Sequence, residues 1–337
     1  MSDDLLGRHD ALLADLDGTL YRGPAAVPGA VEAVRGAAAR GVPTVYVTNN
    51  ASRSPGDVAA HLAELGFPAR EQDVRTSAQA GAAMLAEQVP GGAAVLVVGT
   101  DSLADLVREH GLRVVTCGDD ADAVIQGHSP DTGWRLLAEA TAAVRGGAVW
   151  VATNVDPTLP TERGPMPGNG SMVGVVRTAS GAEPLVAGKP AARLLTEAQA
   201  AASSTRPLVV GDRLDTDIEG AVAAGAPSLC VMTGVSTARD LVGAAAARRP
   251  TYLGADLTAL TRPADELVPG RRSGWSARVD GGALVLAGSG DGTDADLDAL
   301  RTLCPVSWAA AGDGEFGGPV RPDGPAAAEA LGRLGLG

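Results

Sequence analysis

The sequence predicts an α/β protein: a doubly wound parallel sheet core, an α/β segment inserted into it, and a small α+β appendage. Three observations predict this. Short apolar or β-branched runs alternate with helix-length segments, the pattern of βαβ units. The most polar clusters fall just after predicted strands, where open α/β sheets place their ligands. With 337 residues, 45% of them hydrophobic, the chain has material for more than one core.

Taken in order, residues 11–14 form a short apolar strand that runs into acidic residues. A helix follows over about residues 29–40, ended by Gly41 as glycine commonly ends helices. Residues 43–47 read as a strand and 55–65 as a helix stopped by Gly66. A second series begins near residue 81, with strands at 93–98, 113–116, 123–126 and 148–152 and helices at 102–110 and 134–144. Residues 156–170 are rich in Pro and Gly and read as a long ordered loop, not an element. The first pattern then returns, with a strand at 207–210, a helix at 217–224 and a strand at 228–232. A charged, proline-bearing stretch leads to a last piece with strands at 275–279 and 283–287 and helices near 293–303 and 324–334. The division expected is a core of residues 1–81 and 184–261, an insertion of 82–183, a linker of 262–272 and an extension of 273–337.

Composition narrows the function. The formal charge of −13 repels nucleic acid and anionic lipid, so neither is an expected partner. An anionic substrate must then be captured by local features. No apolar run approaches the ~20 residues of a membrane span, and the polar start is no signal peptide. Cys117, Cys230 and Cys304 are widely spaced without a CxxC pair, as in reduced cytoplasmic proteins. Aromatics are only 3%, so Ala, Val and Leu must fill the core. Lys189 is the single lysine among 27 basic residues, which suggests a chemical requirement at that position.

Four clusters carry chemistry. Asp15-Leu16-Asp17-Gly18-Thr19-Leu20 follows the first strand, so both carboxylates can lean into one crevice. Such a pair allows one acid to attack and the other to move protons; the plain alternative is an acidic strand-end turn. Val47-Thr48-Asn49-Asn50 closes the next strand and offers a hydroxyl and amides for phosphate oxygens, or an ordinary helix cap. Gly188-Lys189-Pro190 can neutralise a transferring phosphoryl group, or be an exposed lysine; without a Gly-rich lead-in it is no Walker loop. Val210-Gly211-Asp212-Arg213-Leu214-Asp215-Thr216-Asp217 supplies hard oxygen ligands suited to octahedral Mg²⁺ at ~2.1 Å, or an acid-rich helix start.

In this order the four clusters resemble the haloacid dehalogenase superfamily, and more narrowly its capped nitrophenyl-phosphatase-like branch, over about residues 10–260. Ala152-Thr153-Asn154-Val155-Asp156, Leu159-Pro160-Thr161 and Pro167-Gly168-Asn169-Gly170-Ser171 are similar to that branch's cap loop, and Thr233-Gly234-Val235 to the end of its last core strand. The resemblance implies a Rossmann-like core and a phosphatase for small phosphate monoesters. Asp15 would be the nucleophile and Asp17 the general acid and base. Mg²⁺ would be held by Asp15, the Asp17 carbonyl and Asp212, with Asp217 behind it in preference to Asp215. Thr48 and Asn49, with Asn50 beside them, would hold phosphate, and Lys189 would offset charge. Asn154, Asp156, Leu159 and Arg163 would face the substrate from the cap loop. Relatives acting on pyridoxal phosphate tend to carry a histidine where Leu159 stands, so that substrate is disfavoured and glycerol 3-phosphate is the expected one. Glu162 and Arg163 could meet its hydroxyls. His128, in Gly127-His128-Ser129-Pro130, departs from the Gly-aromatic-Asp type of the branch and reads as a loop residue or a substrate contact. Cap-mediated homodimers are common there. Some relatives carry an extension likened to an acetyltransferase; here Gly288-Ser289-Gly290-Asp291-Gly292 lacks the lead-in of an Arg/Gln-x-x-Gly-x-Gly pyrophosphate loop, so packing on the core or support of assembly is expected and catalysis is not. A phosphotransferase on the same scaffold is the alternative reading, and a phospho-acceptor module the alternative of another class.

Overall fold

The computed structural model describes residues 4–161, 163–290, 292 and 294–337, with the side chains of 160 and 161 left out. Contacts divide the chain into two compact units, residues 1–44 with 202–337, and residues 45–201.

In the first unit, strands Ala11–Ala14, Pro207–Gly211, Ser228–Val231 and Tyr252–Gly254 pair side by side, all parallel. Every residue of these four strands is buried. That is why they read as continuous apolar runs: a parallel sheet is covered on both faces. The Asp15 N–H donates to Val210 O at 2.9 Å, so the first acid is fixed by the ladder itself. The expected helix at 217–224 begins earlier, as a π-turn at Leu214–Ile218 that continues into Glu219–Ala223. π-Turns concentrate at functional sites because the extra residue re-aims its neighbours.

The extension contains strands Trp275–Asp280, Ala283–Gly288 and Val320–Asp323, the last of which the sequence hid behind Pro and Gly. Helix Ala295–Ala311 carries Pro305 in its interior and runs well beyond the expected end, while Pro325–Arg333 closes the chain. One apolar cluster joins Ile218, Cys230, Leu241 and Leu253 to Trp275, Leu284, Leu300, Cys304 and Leu331. Residues 262–272 are correspondingly packed: Leu267 is fully buried and its carbonyl accepts from Leu253 N–H at 2.8 Å. Buried Arg301 donates twice to Leu253 O, at 3.1 and 2.7 Å, and pairs with Asp298 at 2.7 Å.

In the second unit, strand Thr44–Thr48 pairs with Val74–Thr76 from Tyr46 onward. Five further strands lie parallel in the order Leu185–Val186, Val149–Ala152, Ala123–Gln126, Ala94–Val98, Arg113–Val115. Period-two alternation sorts their residues cleanly. Val95, Ala123, Ile125 and Val151 pack against helices Ser77–Gln88 and Asp101–Glu109. Leu96, Val98, Val124, Trp150 and Ala152 pack against Trp134–Arg145 and Asn169–Ser180. The stretch expected as a loop at 156–170 instead holds an antiparallel hairpin, Thr158–Thr161 with Gly164–Pro167. Its prolines face each other at Pro160 and Pro165 in a two-stranded ribbon, where missing N–H groups cost no further ladder bonds. No helix among the described residues is long and apolar enough to cross a membrane.

Candidate active site

Within the first unit, Asp15, Asp212 and Asp217 each bring a carboxylate oxygen within 4.8 Å of the others. Asp212 and Asp217 are buried and Asp15 is half-buried. Asp212 follows the strand beside Asp15, which explains the approach across a long sequence separation. Its Oδ1 accepts from Thr19 Oγ1 at 3.1 Å and its Oδ2 from Val235 N–H at 2.6 Å. Asp217 Oδ2 accepts from Arg213 N–H at 3.1 Å across the π-turn. Three glycines admit this crowding. A Cβ on Gly18, whose φ is +85°, would meet Asp212 Oδ2 at 2.6 Å; one on Gly234 would fall inside the same carboxylate, and one on Gly211 inside that of Asp217. Thr233 Oγ1 donates to Gly18 O at 2.6 Å and ties the two loops together.

Asp215 points elsewhere, held by Arg213 at 3.0 and 2.8 Å. Burial would raise its pKa, but the Arg213 guanidinium outweighs that and lowers it. Asp17 is exposed, in a turn where Gly18 N–H donates to Tyr21 O at 2.8 Å. An all-oxygen, anionic donor set around one point fits a hard divalent cation such as Mg²⁺ and offers no soft ligand.

Within the second unit, the remaining clusters converge on Asn49. Its Nδ2 donates to Lys189 O at 2.9 Å and Asp156 Oδ2 at 3.1 Å, and its Oδ1 accepts from Lys189 N–H at 2.9 Å. Its carbonyl accepts from Ser77 Oγ at 2.6 Å and Asn154 Nδ2 at 2.7 Å. Lys189 is buried, not a surface lysine, and its Nζ donates to Val47 O at 3.4 Å. Gly188 is needed here, since a Cβ would strike Asn49 Oδ1 at 2.6 Å. Thr48 is buried and its Oγ1 accepts from Asn50 N–H at 3.0 Å; Asn50 Oδ1 in turn accepts from Ser52 N–H at 2.8 Å. Asn169 Nδ2 braces Asn154 O at 2.7 Å.

The cap-loop residues scatter more. Leu159 is half-buried opposite Met166 in the hairpin, and Arg163 is exposed at its turn. Glu162 lies outside the described residues. His128 is half-buried at the end of a strand, its Nδ1 enclosed without a hydrogen-bond partner. The sequence reading passed over Thr19, Ser77 and the Val235 N–H. Thr19 stood inside the first motif and could have been found there. Ser77 carries no local signal, and a main-chain donor carries none in any sequence.

Acids ending adjacent parallel strands, a polar knot around a buried lysine and parallel sheets of this kind define a class. The chain belongs to the haloacid dehalogenase-like hydrolases. The family of that description matches residues 12–113, a HAD-hydrolase-like family matches 186–260, and a GCN5-related N-acetyltransferase-like domain matches 272–336. The chain is 51% identical over 308 residues to D-glycerol 3-phosphate phosphatase of Mycobacterium tuberculosis, covering 90% of this chain and 86% of that protein. The crystal structure of glycerol phosphate phosphatase from Mycobacterium tuberculosis in complex with magnesium superposes with a TM-score of 0.92 at 48% identity, over 100% of both chains. A thermostable NPPase from Geobacillus stearothermophilus gives 0.68 at 32% identity, over 74% of this chain and 97% of its own.

Proposed function

We propose that this chain is a Mg²⁺-dependent phosphatase that hydrolyses glycerol 3-phosphate through an aspartyl-phosphate on Asp15. The observation that carries the reading is the Asp15–Asp212–Asp217 cluster at the ends of parallel strands. The relation to the Mycobacterium tuberculosis phosphatase and its magnesium complex supports both the metal and the substrate. Asp15, Asp212, Asp217 and the Asp17 carbonyl would hold Mg²⁺, which when bound withdraws charge from the phosphate oxygens.

The chain's own residues do the rest. An Asp15 oxygen attacks phosphorus in line as the P–O bond to glycerol breaks, and Asp17 gives its proton to the departing alkoxide. Asp17 then takes a proton from water, whose oxygen attacks phosphorus; the bond to Asp15 breaks, phosphate leaves and both acids return to their starting state. Exposure of Asp17 suits a residue that must meet an alcohol and then water. Lys189 offsets the repulsion between an anionic nucleophile and an anionic phosphate. The Asn49 side chain is committed to Lys189 and Asp156, so phosphate contacts fall to the Thr48 hydroxyl and the Asn49 main chain. Asn50 shapes the turn that carries them.

Residues 82–183 would act as the cap, with the 158–167 hairpin, Leu159 and Arg163 reading the alcohol. A cytoplasmic location and a cap-mediated dimer complete the proposal, and light scattering on the purified chain tests the latter. The functional test is phosphate release with Mg²⁺ from glycerol 3-phosphate, phosphoglycolate, pyridoxal 5′-phosphate, sugar phosphates and nitrophenyl phosphate. Wild type should prefer glycerol 3-phosphate, and Asp15→Asn should lose at least about 1,000-fold. Turnover that survives in Asp15→Asn removes the nucleophile.

A further inference from the structure

The loop that grips Asp212 is itself held from behind by the acetyltransferase-like extension. Val235 N–H donates to Asp212 Oδ2 at 2.6 Å, Ser236 N–H to Asp212 O at 3.2 Å, and Leu214 N–H to Ser236 Oγ at 3.0 Å. Helix Ala238–Gly243 starts immediately afterwards, its first turn closed by a Thr237–Asp240 capping box. Six residues are too few for a helix to hold its place alone. The extension supplies what is missing. Trp308 Nε1 donates to Leu241 O at 2.8 Å, Phe316 N–H to Gly243 O at 3.2 Å, and Asp313 O accepts from Ala246 N–H at 3.1 Å. Arg249 lies over the Trp308 ring at 5.6 Å and donates to Ala244 O at 3.0 Å and Gly312 O at 2.6 Å. Leu241 and Val242 enter the apolar cluster with Leu300, Leu303 and Leu331 of the extension.

We propose that the extension is a positioning domain for the metal site, with Trp308 as its principal positioning residue acting on Asp212 through helix Ala238–Gly243 and the Thr233–Ser236 loop. The inference rests on the reading of Asp212 as a metal ligand. A carboxylate whose Oδ2 accepts a fixed main-chain N–H keeps its second oxygen aimed, whereas a loosened loop lets it turn. Partners behind a ligand characteristically change metal affinity tenfold or more when removed.

Mg²⁺ binding by isothermal titration calorimetry, Mg²⁺ dependence of phosphate release and melting temperature should be measured on the full chain. Trp308→Phe keeps an aromatic ring under Arg249 and deletes the Nε1 donor together with part of the indole's packing. Its Mg²⁺ dissociation constant and half-saturating Mg²⁺ should rise about threefold to tenfold, while kcat at saturating Mg²⁺ stays within about twofold of wild type. Arg249→Gln, removing the guanidinium that lies over the ring, should shift Mg²⁺ affinity in the same direction. Val285→Ala loosens the extension's own sheet at a buried residue outside the cluster that Leu241 and Val242 enter, and should lower the melting temperature without moving Mg²⁺ affinity. The proposal is overturned if Trp308→Phe binds Mg²⁺ as wild type does, or if Val285→Ala weakens binding in step with its melting temperature. Asp212→Asn separates the two readings: when it alone abolishes Mg²⁺ binding, the metal site stands and the brace falls; when it leaves binding intact, the metal assignment itself falls.

Discussion

At the scale of single residues, space decides as much as charge. Gly234 lies so close to the Asp212 carboxylate that no Cβ fits. Gly234→Ala should therefore lose at least about tenfold in Mg²⁺ affinity, read by calorimetry, while the fold survives by circular dichroism. Asn49 is the counterpart around Lys189. Asn49→Ala removes three hydrogen bonds, and about 10- to 100-fold in kcat/KM should go with the loosened lysine. Asp10 gives a pH prediction. Burial opposes its ionisation, but Ser204, the Thr205 and Arg206 N–H groups and the Thr205 hydroxyl hold its carboxyl well below the usual range. A depressed folded pKa gives stability that is present above the unfolded value near ~3.9 and lost as pH falls below it. Wild type should accordingly lose more melting temperature than Asp10→Asn on acidification from about pH 4 downward. The acids and Lys189 were readable because charge after a strand is conspicuous. The donors that aim them, such as Ser77 and the Val235 N–H, were not, because any residue type can supply a main-chain N–H and serine is common.

At the scale of elements, periodicity carried the reading and turn chemistry limited it. Strands such as Ala123–Gln126 were visible because a sheet of five parallel strands leaves short apolar runs between helices. The π-turn at Leu214–Ile218 was not, since its sequence is that of any acidic helix start and only the Gly211–Asp217 proximity forces the extra residue. The hairpin at 158–167 was hidden because proline and glycine usually mark irregular chain. Paired strands make it stiffer than a loop, as suits the substrate-reading role proposed for it. Replacing residues 158–167 by a short Gly-Ser turn should raise KM for glycerol 3-phosphate about tenfold or more. The Mg²⁺ dissociation constant should stay unchanged, because the carboxylate cluster belongs to the other compact unit. A shift in metal affinity on that replacement would contradict the assignment of roles.

At the scale of the whole molecule, the extension was expected to pack on the core, and how far its core is shared was not legible. A charged, proline-bearing stretch suggests a linker to an appendage that packs on the core, without saying through which residues. The contacts put residues 202–337 in one unit, because the apolar residues on either side of that stretch belong to one cluster. Separation along the chain hides such a cluster: Cys230 and Leu253 look like ordinary strand residues until Leu300 and Cys304 cover them. The consequence for stability follows from magnitude. Each buried leucine left in water costs about 1.5–3 kcal/mol, and a whole protein has only about 5–15 kcal/mol to lose. Truncation after residue 271 uncovers Leu241, Val242 and Leu253 and removes the Arg301 donors from Leu253 O. A chain of residues 1–271 should therefore be largely insoluble, or bind a hydrophobic dye and melt without a cooperative transition. Recovery of a soluble, cooperatively melting fragment would mean that the cluster is a mere contact between two self-sufficient cores, and that the acetyltransferase-like piece is an addition to this phosphatase instead of a part of its fold.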